Sequence, residues 1–184
     1  MTRATGESLV AASDLDGTIL QYFAKGDEAP RANWSLIGAM IKLGIKRVSF
    51  ATNQGGVGLG YIGKARADGR PYPTPQNLSK RLWCAKGFLE QAGIEVSAVR
   101  VSLYHPYAAE VMTARQKKSC AELVREQIRG ISPDSRVFWT PDMRKPAPGM
   151  LLSLGANLFY GDSEDDSGAA KAAGIHFVPV ARFM

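Results

Sequence analysis

Short apolar runs alternate along the chain with stretches whose apolar residues recur at helical spacing. Leu9-Val10-Ala11-Ala12-Ser13 is apolar and ends at the acidic turn Asp14-Leu15-Asp16-Gly17-Thr18, the pattern of a buried strand running into a loop. Trp34, Leu36, Ile37, Met40, Ile41 and Leu43 fall at helical spacing, with Gly44 as a natural stop. Lys46-Arg47-Val48-Ser49-Phe50-Ala51 reads as a second strand and runs into Thr52-Asn53-Gln54. Residues 55–75, rich in glycine, proline and basic side chains, read as a long loop, and structureless loops of that length are often functional. A helix is expected from Thr74 or Pro75 to about Gln91, closed by Gly93. Val96 to Leu103 reads as a third strand, and Ala108 to about Arg129 as a helix charged on one side. Val137-Phe138-Trp139 is a short apolar segment before Pro141-Asp142-Met143-Arg144-Lys145-Pro146. Leu158-Phe159-Tyr160 is a strand leading into Gly161-Asp162. An alanine-rich helix follows from Ser163 to Ala173, stopped by Gly174, and a last strand spans Ile175 to Val180.

Strands that alternate with helices predict an α/β fold, a Rossmann-like parallel sheet flanked by helices. The 184 residues suffice for one domain, with a basic loop about 55–75 and a helical insertion about 104–143. Ligands of such sheets sit outside the carboxyl ends of the strands. Three polar clusters follow apolar strands directly: Asp14/Asp16, Thr52/Asn53 and Asp162/Asp165/Asp166.

Composition narrows the class. With 45% hydrophobic and 22% charged residues the chain is of ordinary globular make-up, and no apolar run reaches membrane-spanning length. The N-terminal residues lack the apolar core of a signal peptide, so a cytoplasmic location is expected. Cys84 and Cys120 alone make neither a disulfide framework nor a structural zinc site. The net charge of +6 weakly favours polyanionic partners.

The acidic clusters suggest chemistry. Carboxylates two apart at a strand end can face one site if the strand breaks between them. Asp14 can then attack phosphorus to form an aspartyl-phosphate. Asp16 can protonate the leaving oxygen and afterwards deprotonate the resolving water. Alone, Asp-x-Asp-Gly is equally a turn or a calcium loop; Gln21 and Tyr22 follow where further calcium ligands would stand. Packed carboxylates repel one another and a phosphate, and a magnesium ion relieves both. Asp14, the backbone carbonyl of Asp16 and Asp162 are its expected ligands, with Asp166, or less readily Asp165, behind them. Asp162 to Asp166 taken alone reads first as an acidic helix N-terminus. The Thr52 hydroxyl, the Asn53 amide and the Lys145 ammonium are candidate phosphate binders, although a lone lysine is more often a solvated one.

In combination these residues resemble the four signature motifs of the haloacid dehalogenase superfamily. The first is Asp14-Leu15-Asp16-Gly17-Thr18 and the second Thr52-Asn53-Gln54. Arg144-Lys145-Pro146 with Gly149-Met150 is the third. Gly161-Asp162-Ser163-Glu164-Asp165-Asp166 with its helix is the fourth. The resemblance implies a magnesium-dependent phosphomonoester hydrolase, with phosphatase rather than dehalogenase chemistry because both motif-one positions are Asp. The Thr-Asn-Gln-Gly and Arg-Lys-Pro-x-x-Gly-Met forms are similar to a branch with little or no cap domain. That branch holds histidinol-phosphate and heptose-bisphosphate phosphatases and the phosphatase domain of polynucleotide 3′-phosphatase/kinases. The Cys/His zinc loop frequent in the sugar-phosphate members is missing, since only His105 and Cys120 stand in that stretch.

A polynucleotide 3′-phosphatase is thus one expectation. A sugar- or nucleotide-phosphate phosphatase is the alternative, and a binding or structural protein on a phosphatase fold is a further one. Gln54, Arg144, Lys64, Arg66 and Arg70 are candidate substrate contacts. Basic residues interleaved with Tyr61, Tyr72 and Trp83 suit single-stranded nucleic acid, and equally suit an ordinary surface with its aromatics turned inward. The charged helix before residue 129 reads as a solvated face.

Overall fold

The computed structural model describes residues 9–22 and 29–183. Six strands form one parallel sheet: β1 (Ala11–Ser13), β2 (Arg47–Asn53), β3 (Glu95–Ser102), β4 (Asp134–Phe138), β5 (Leu158–Gly161) and β6 (His176–Pro179). Their spatial order is β4-β3-β2-β1-β5-β6. The chain steps outward from β1 to β4, crosses back to the far side of β1, and continues to β6. The switch in direction falls between β1 and β5, which is where open parallel sheets bind ligands.

Helices cover both faces. They are α1 (Trp34–Lys42), α2 (Gly55–Tyr61), α3 (Pro75–Gln91), α4 (Pro106–Val111), α5 (Ala114–Ile128), α6 (Gly149–Leu154) and α7 (Glu164–Ala173). Side chains alternate across a strand, so each strand feeds two cores. Ala11, Val48, Phe50, Val99, Val101 and Tyr160 join the larger core with α1, α3 and α5. Ala12, Ala51 and Phe159 join the smaller one with Met150 and Leu151 of α6 and Ala169 and Ala170 of α7. Right-handed crossovers put connections running in opposite directions on opposite faces, and the division of helices agrees.

Three sequence expectations need correction. Residues 55–75 do not form one long loop: α2 takes up Gly55–Tyr61, and only the segment from 62 to 74 is irregular. The glycines of α2 serve close packing. A Cβ on Gly58 would lie 2.4 Å from the Trp139 ring, and one on Gly60 would lie 2.2 Å from the Pro73 carbonyl oxygen. The helix expected over Ala108–Arg129 is two helices, α4 and α5, parted at Met112-Thr113. Thr113 caps α5 reciprocally with Gln116. Nor is 104–143 purely a helical insertion, because it supplies the edge strand β4.

Gly60→Ala is expected to displace the Pro73 backbone and cost about 1–3 kcal/mol, as overpacking does. Urea unfolding measures it, and an unchanged midpoint would mean that the 62–74 segment gives way freely.

Candidate active site

β1 ends at Ser13, and the next residue is already tied down: the Asp14 amide donates to the Tyr160 carbonyl of β5 at 2.9 Å. Asp14 is thereby pinned at the switch point, 8% exposed. Gly17, at φ +74, turns the chain behind it, and a Cβ there would lie 2.2 Å from Asp162 Oδ2. Asp162 follows β5 directly, and Tyr22 donates to its Oδ2 at 2.7 Å.

Lys145 enters from the loop before α6. Its ammonium, 2% exposed, donates to Asp14 Oδ1 at 2.7 Å and to Asp166 Oδ1 at 2.5 Å. Its backbone is clamped by Asn53: the Asn53 side chain donates to the Lys145 carbonyl at 2.9 Å and accepts from the Lys145 amide at 3.0 Å. Asp166 is fully buried in the first turn of α7. Its second oxygen accepts from the Asp162 and Ser163 amides at 3.1 Å and from the Ser163 hydroxyl at 2.7 Å. Asp165 is exposed and lines the cavity without joining the carboxylate cluster. Of the two, Asp166 is the one that reaches Lys145 and joins the carboxylate cluster.

One oxygen each of Asp14, Asp162 and Asp166 lies within 4.8 Å of the others, a geometry that can hold a metal ion. One ammonium pairs with Asp14 and Asp166, while Asp162 accepts from the Tyr22 and Thr18 hydroxyls, so the cluster carries excess negative charge. Burial pushes the Asp14 carboxyl above the ordinary aspartate range, Lys145 opposes this, and Asp166 adds to it. Burial alone would favour the neutral Lys145 amine, but Asp14 and Asp166 outweigh it and hold the ammonium above the ordinary lysine range. An all-oxygen donor set with surplus charge suits a hard divalent cation.

The second strand completes the site. The Gln54 amide bonds to Ser102 of β3 at 2.7 Å. Backbone amides alternate along a strand, so that of Asn53 faces the β1 side, beyond the point where β1 has ended. The Thr52 hydroxyl accepts from Gln54 Nε2 at 2.9 Å and keeps its own proton to donate. Asp14, Asp16, Thr52, Asn53, Arg144, Lys145 and Asp162 line one cavity of about 180 Å³.

Other expected residues take different roles. Asp16 lines the cavity without joining the three-carboxylate cluster; its Oδ2 accepts from Gln54 Nε2 at 2.8 Å and pairs with Arg81 of α3. Gln54, expected to touch substrate, instead links Asp16 to Thr52. Arg144 donates to the Tyr104 carbonyl at 2.9 Å and borders the site. Arg66 and Arg70 line an adjoining cavity with Asp16 and Tyr22, and Lys64 stands exposed outside it. Sequence reasoning gave no separate role to Tyr22 or Arg81. No motif marks either one, because each reaches the site through tertiary approach. Ser163 was legible as a cap, since Ser-x-x-Asp opens α7.

The chain matches no family model, no curated protein and no solved structure. Geometry alone therefore carries the chemistry.

Two outcomes are expected. Because the folded Asp14 holds its proton more tightly than the unfolded one, the folded state binds more protons above pH 3.8, and stability falls as pH rises toward the raised folded value. Asp14→Asn should remove that slope and raise the melting temperature of the metal-free protein, by about 2–4 °C for each kcal/mol gained. A lower melting temperature would contradict the direction given for Asp14. Gly17→Ala, which forces a side chain onto Asp162 at a left-handed position, should abolish saturable magnesium binding in calorimetry. Unchanged binding would show that Asp162 is not a ligand.

Proposed function

We propose that the protein is a magnesium-dependent phosphomonoesterase of the haloacid dehalogenase type, working through a phosphorylated Asp14. The observation that carries this is the buried Lys145 bridge between Asp14 and Asp166, with Asp162 alongside, at the switch point of a parallel sheet. A structural ion pair would need one carboxylate; here one ammonium serves two, with a third close by.

In this reading Asp14 and Asp162 would hold the cation, with Asp166 bracing them from behind. A bound divalent cation would offset the charge of the carboxylates and the phosphoryl group. The Thr52 hydroxyl, the Asn53 amide and Lys145 bind the phosphoryl oxygens, preorganised by the Asn53 clamp and by Gln54. An Asp14 oxygen attacks phosphorus, the ester bond breaks, and Asp16, which must enter this step as the protonated acid with Arg81 moved off it, gives its proton to the departing alkoxide. Asp16 then takes a proton from water, whose oxygen attacks the same phosphorus; the bond to Asp14 breaks and inorganic phosphate leaves.

Within this class a polynucleotide 3′-phosphatase is favoured over a sugar- or nucleotide-phosphate phosphatase. The support is the basic cavity beside Asp16, lined by Arg66, Arg70 and Arg81. Phosphate release from a 3′-phosphorylated oligonucleotide and from a panel of small phosphate esters, with and without magnesium, tests both levels. The expected result is magnesium-dependent release, fastest from the oligonucleotide and lost by about a thousandfold or more in Asp14→Asn. Release from small esters alone would leave the phosphatase reading and remove the nucleic acid. No release from any ester would remove both.

A further inference from the structure

The arginine that touches Asp16 also faces a different space. Arg81 projects from α3, its side chain 15% exposed, and pairs with Asp16 Oδ2 on one side. Its Nε is buried without a hydrogen-bond partner. The same side chain lines a cavity of about 490 Å³ with Asp16, Gln21, Tyr22, Arg66 and Arg70. Asp16 and Tyr22 also line the active-site cavity, so the two spaces meet at those residues. Arg66 and Arg81 continue into a further hollow of about 390 Å³ with Tyr72, Asn77 and Lys80.

Charge along this cleft is unevenly matched. Arg70 is paired with Asp68 at 2.6 Å, on an exposed turn. Arg66 lies over the Tyr72 ring at 5.5 Å. Arg81 alone reaches inward, and it is held by a carboxylate that Gln54 also occupies. A guanidinium offers five donors in a fixed fork, enough to serve a carboxylate and a phosphate together or to move from one to the other.

We propose that this cleft is a subsite for a second phosphate group of the same substrate, and that Arg81 is a positioning residue shared between that phosphate and Asp16. The inference rests on the phosphatase reading for the first phosphate. A substrate seated at Asp14 extends past Asp16 and Tyr22 and places its second phosphate between Arg66, Arg70 and Arg81. There it draws the Arg81 guanidinium toward itself and opens Asp16 Oδ2 to the leaving oxygen. A substrate with one phosphate leaves Arg81 on Asp16. The cleft thus selects for substrates that carry two phosphates, whether as a small bisphosphate or as a terminal phosphate next to an internucleotide one.

Calorimetry on the Asp14→Asn protein with magnesium, where nothing is turned over, tests this with adenosine 3′,5′-bisphosphate, adenosine 3′-monophosphate and a 3′-phosphorylated dinucleotide. The bisphosphate should bind about tenfold or more tighter than the monophosphate, and adding Arg81→Ala should cut the gain to about threefold or less. Arg81→Lys, which keeps charge but not the fork, should fall between. Arg70→Ala, at an exposed position, should weaken the preference too and carries the test if Arg81→Ala fails to fold. A gain for the dinucleotide as well would make the internucleotide phosphate the source; a gain for the bisphosphate alone would make it a small molecule. Equal binding of all three, or a preference that survives both variants, would overturn the proposal. If the wild-type protein releases no phosphate yet this preference holds, the catalytic reading falls and the subsite stands. Turnover of monoesters without the preference removes the subsite and leaves the catalytic reading in place.

Discussion

One buried ammonium between two carboxylates is the constraint on which the site depends. Lys145 touches Asp14 at the end of β1 and Asp166 in the first turn of α7, so it ties together segments 131 and 21 residues away in sequence. Taking such charges out of water is costly, and the cost is offset only when every partner is held in place. The holding is visible. Asn53 clamps the Lys145 backbone, the Ser163 cap and two amides fix Asp166, and the Tyr160 carbonyl fixes Asp14. Each support stands at or just past the carboxyl end of a strand, and a parallel sheet gathers those ends on one edge. Fold and site are in this sense a single arrangement: the strand order puts β1 between β2 and β5, and those three strands supply the acid, the clamp and the second acid.

The arrangement also explains why the site is poised rather than relaxed. One ammonium cannot neutralise Asp14, Asp162 and Asp166, and burial, with Asp166 adding to it against the pull of Lys145, holds the Asp14 carboxyl above the ordinary range. A site built only for stability would replace one of these carboxylates with a neutral side chain. Excess negative charge facing a cavity of about 180 Å³ suits a divalent cation.

Much of this was legible in the sequence, for identifiable reasons. Apolar runs ending in Asp14, Thr52 and Asp162 marked strands whose ends carry polar groups, and the strands stand where those runs fall. Asp166 was separable from Asp165 only in part, because both fit a helix N-terminus and the choice depends on which face turns to Lys145. Residues 55–61 were misread because glycine is a poor helix former; here it is kept for the close approach of Trp139 and Pro73, which no local pattern reveals. The break between α4 and α5 had a local signal in Thr113-x-x-Gln116, overridden by the continuous polar pattern around it. Arg81 sits on a helix face far in sequence from every motif, so its meeting with Asp16 required the fold.

The central claim is that Asp14 attacks phosphorus, and the stereochemical course at phosphorus tests it most directly. A chiral phosphorothioate monoester hydrolysed in isotopically labelled water should give product with net retention, since attack by Asp14 and then by water inverts twice. Net inversion would mean that water attacks the substrate directly. Asp14 would then only bind metal or act as a base, and the account given for the Lys145-centred cluster would be wrong.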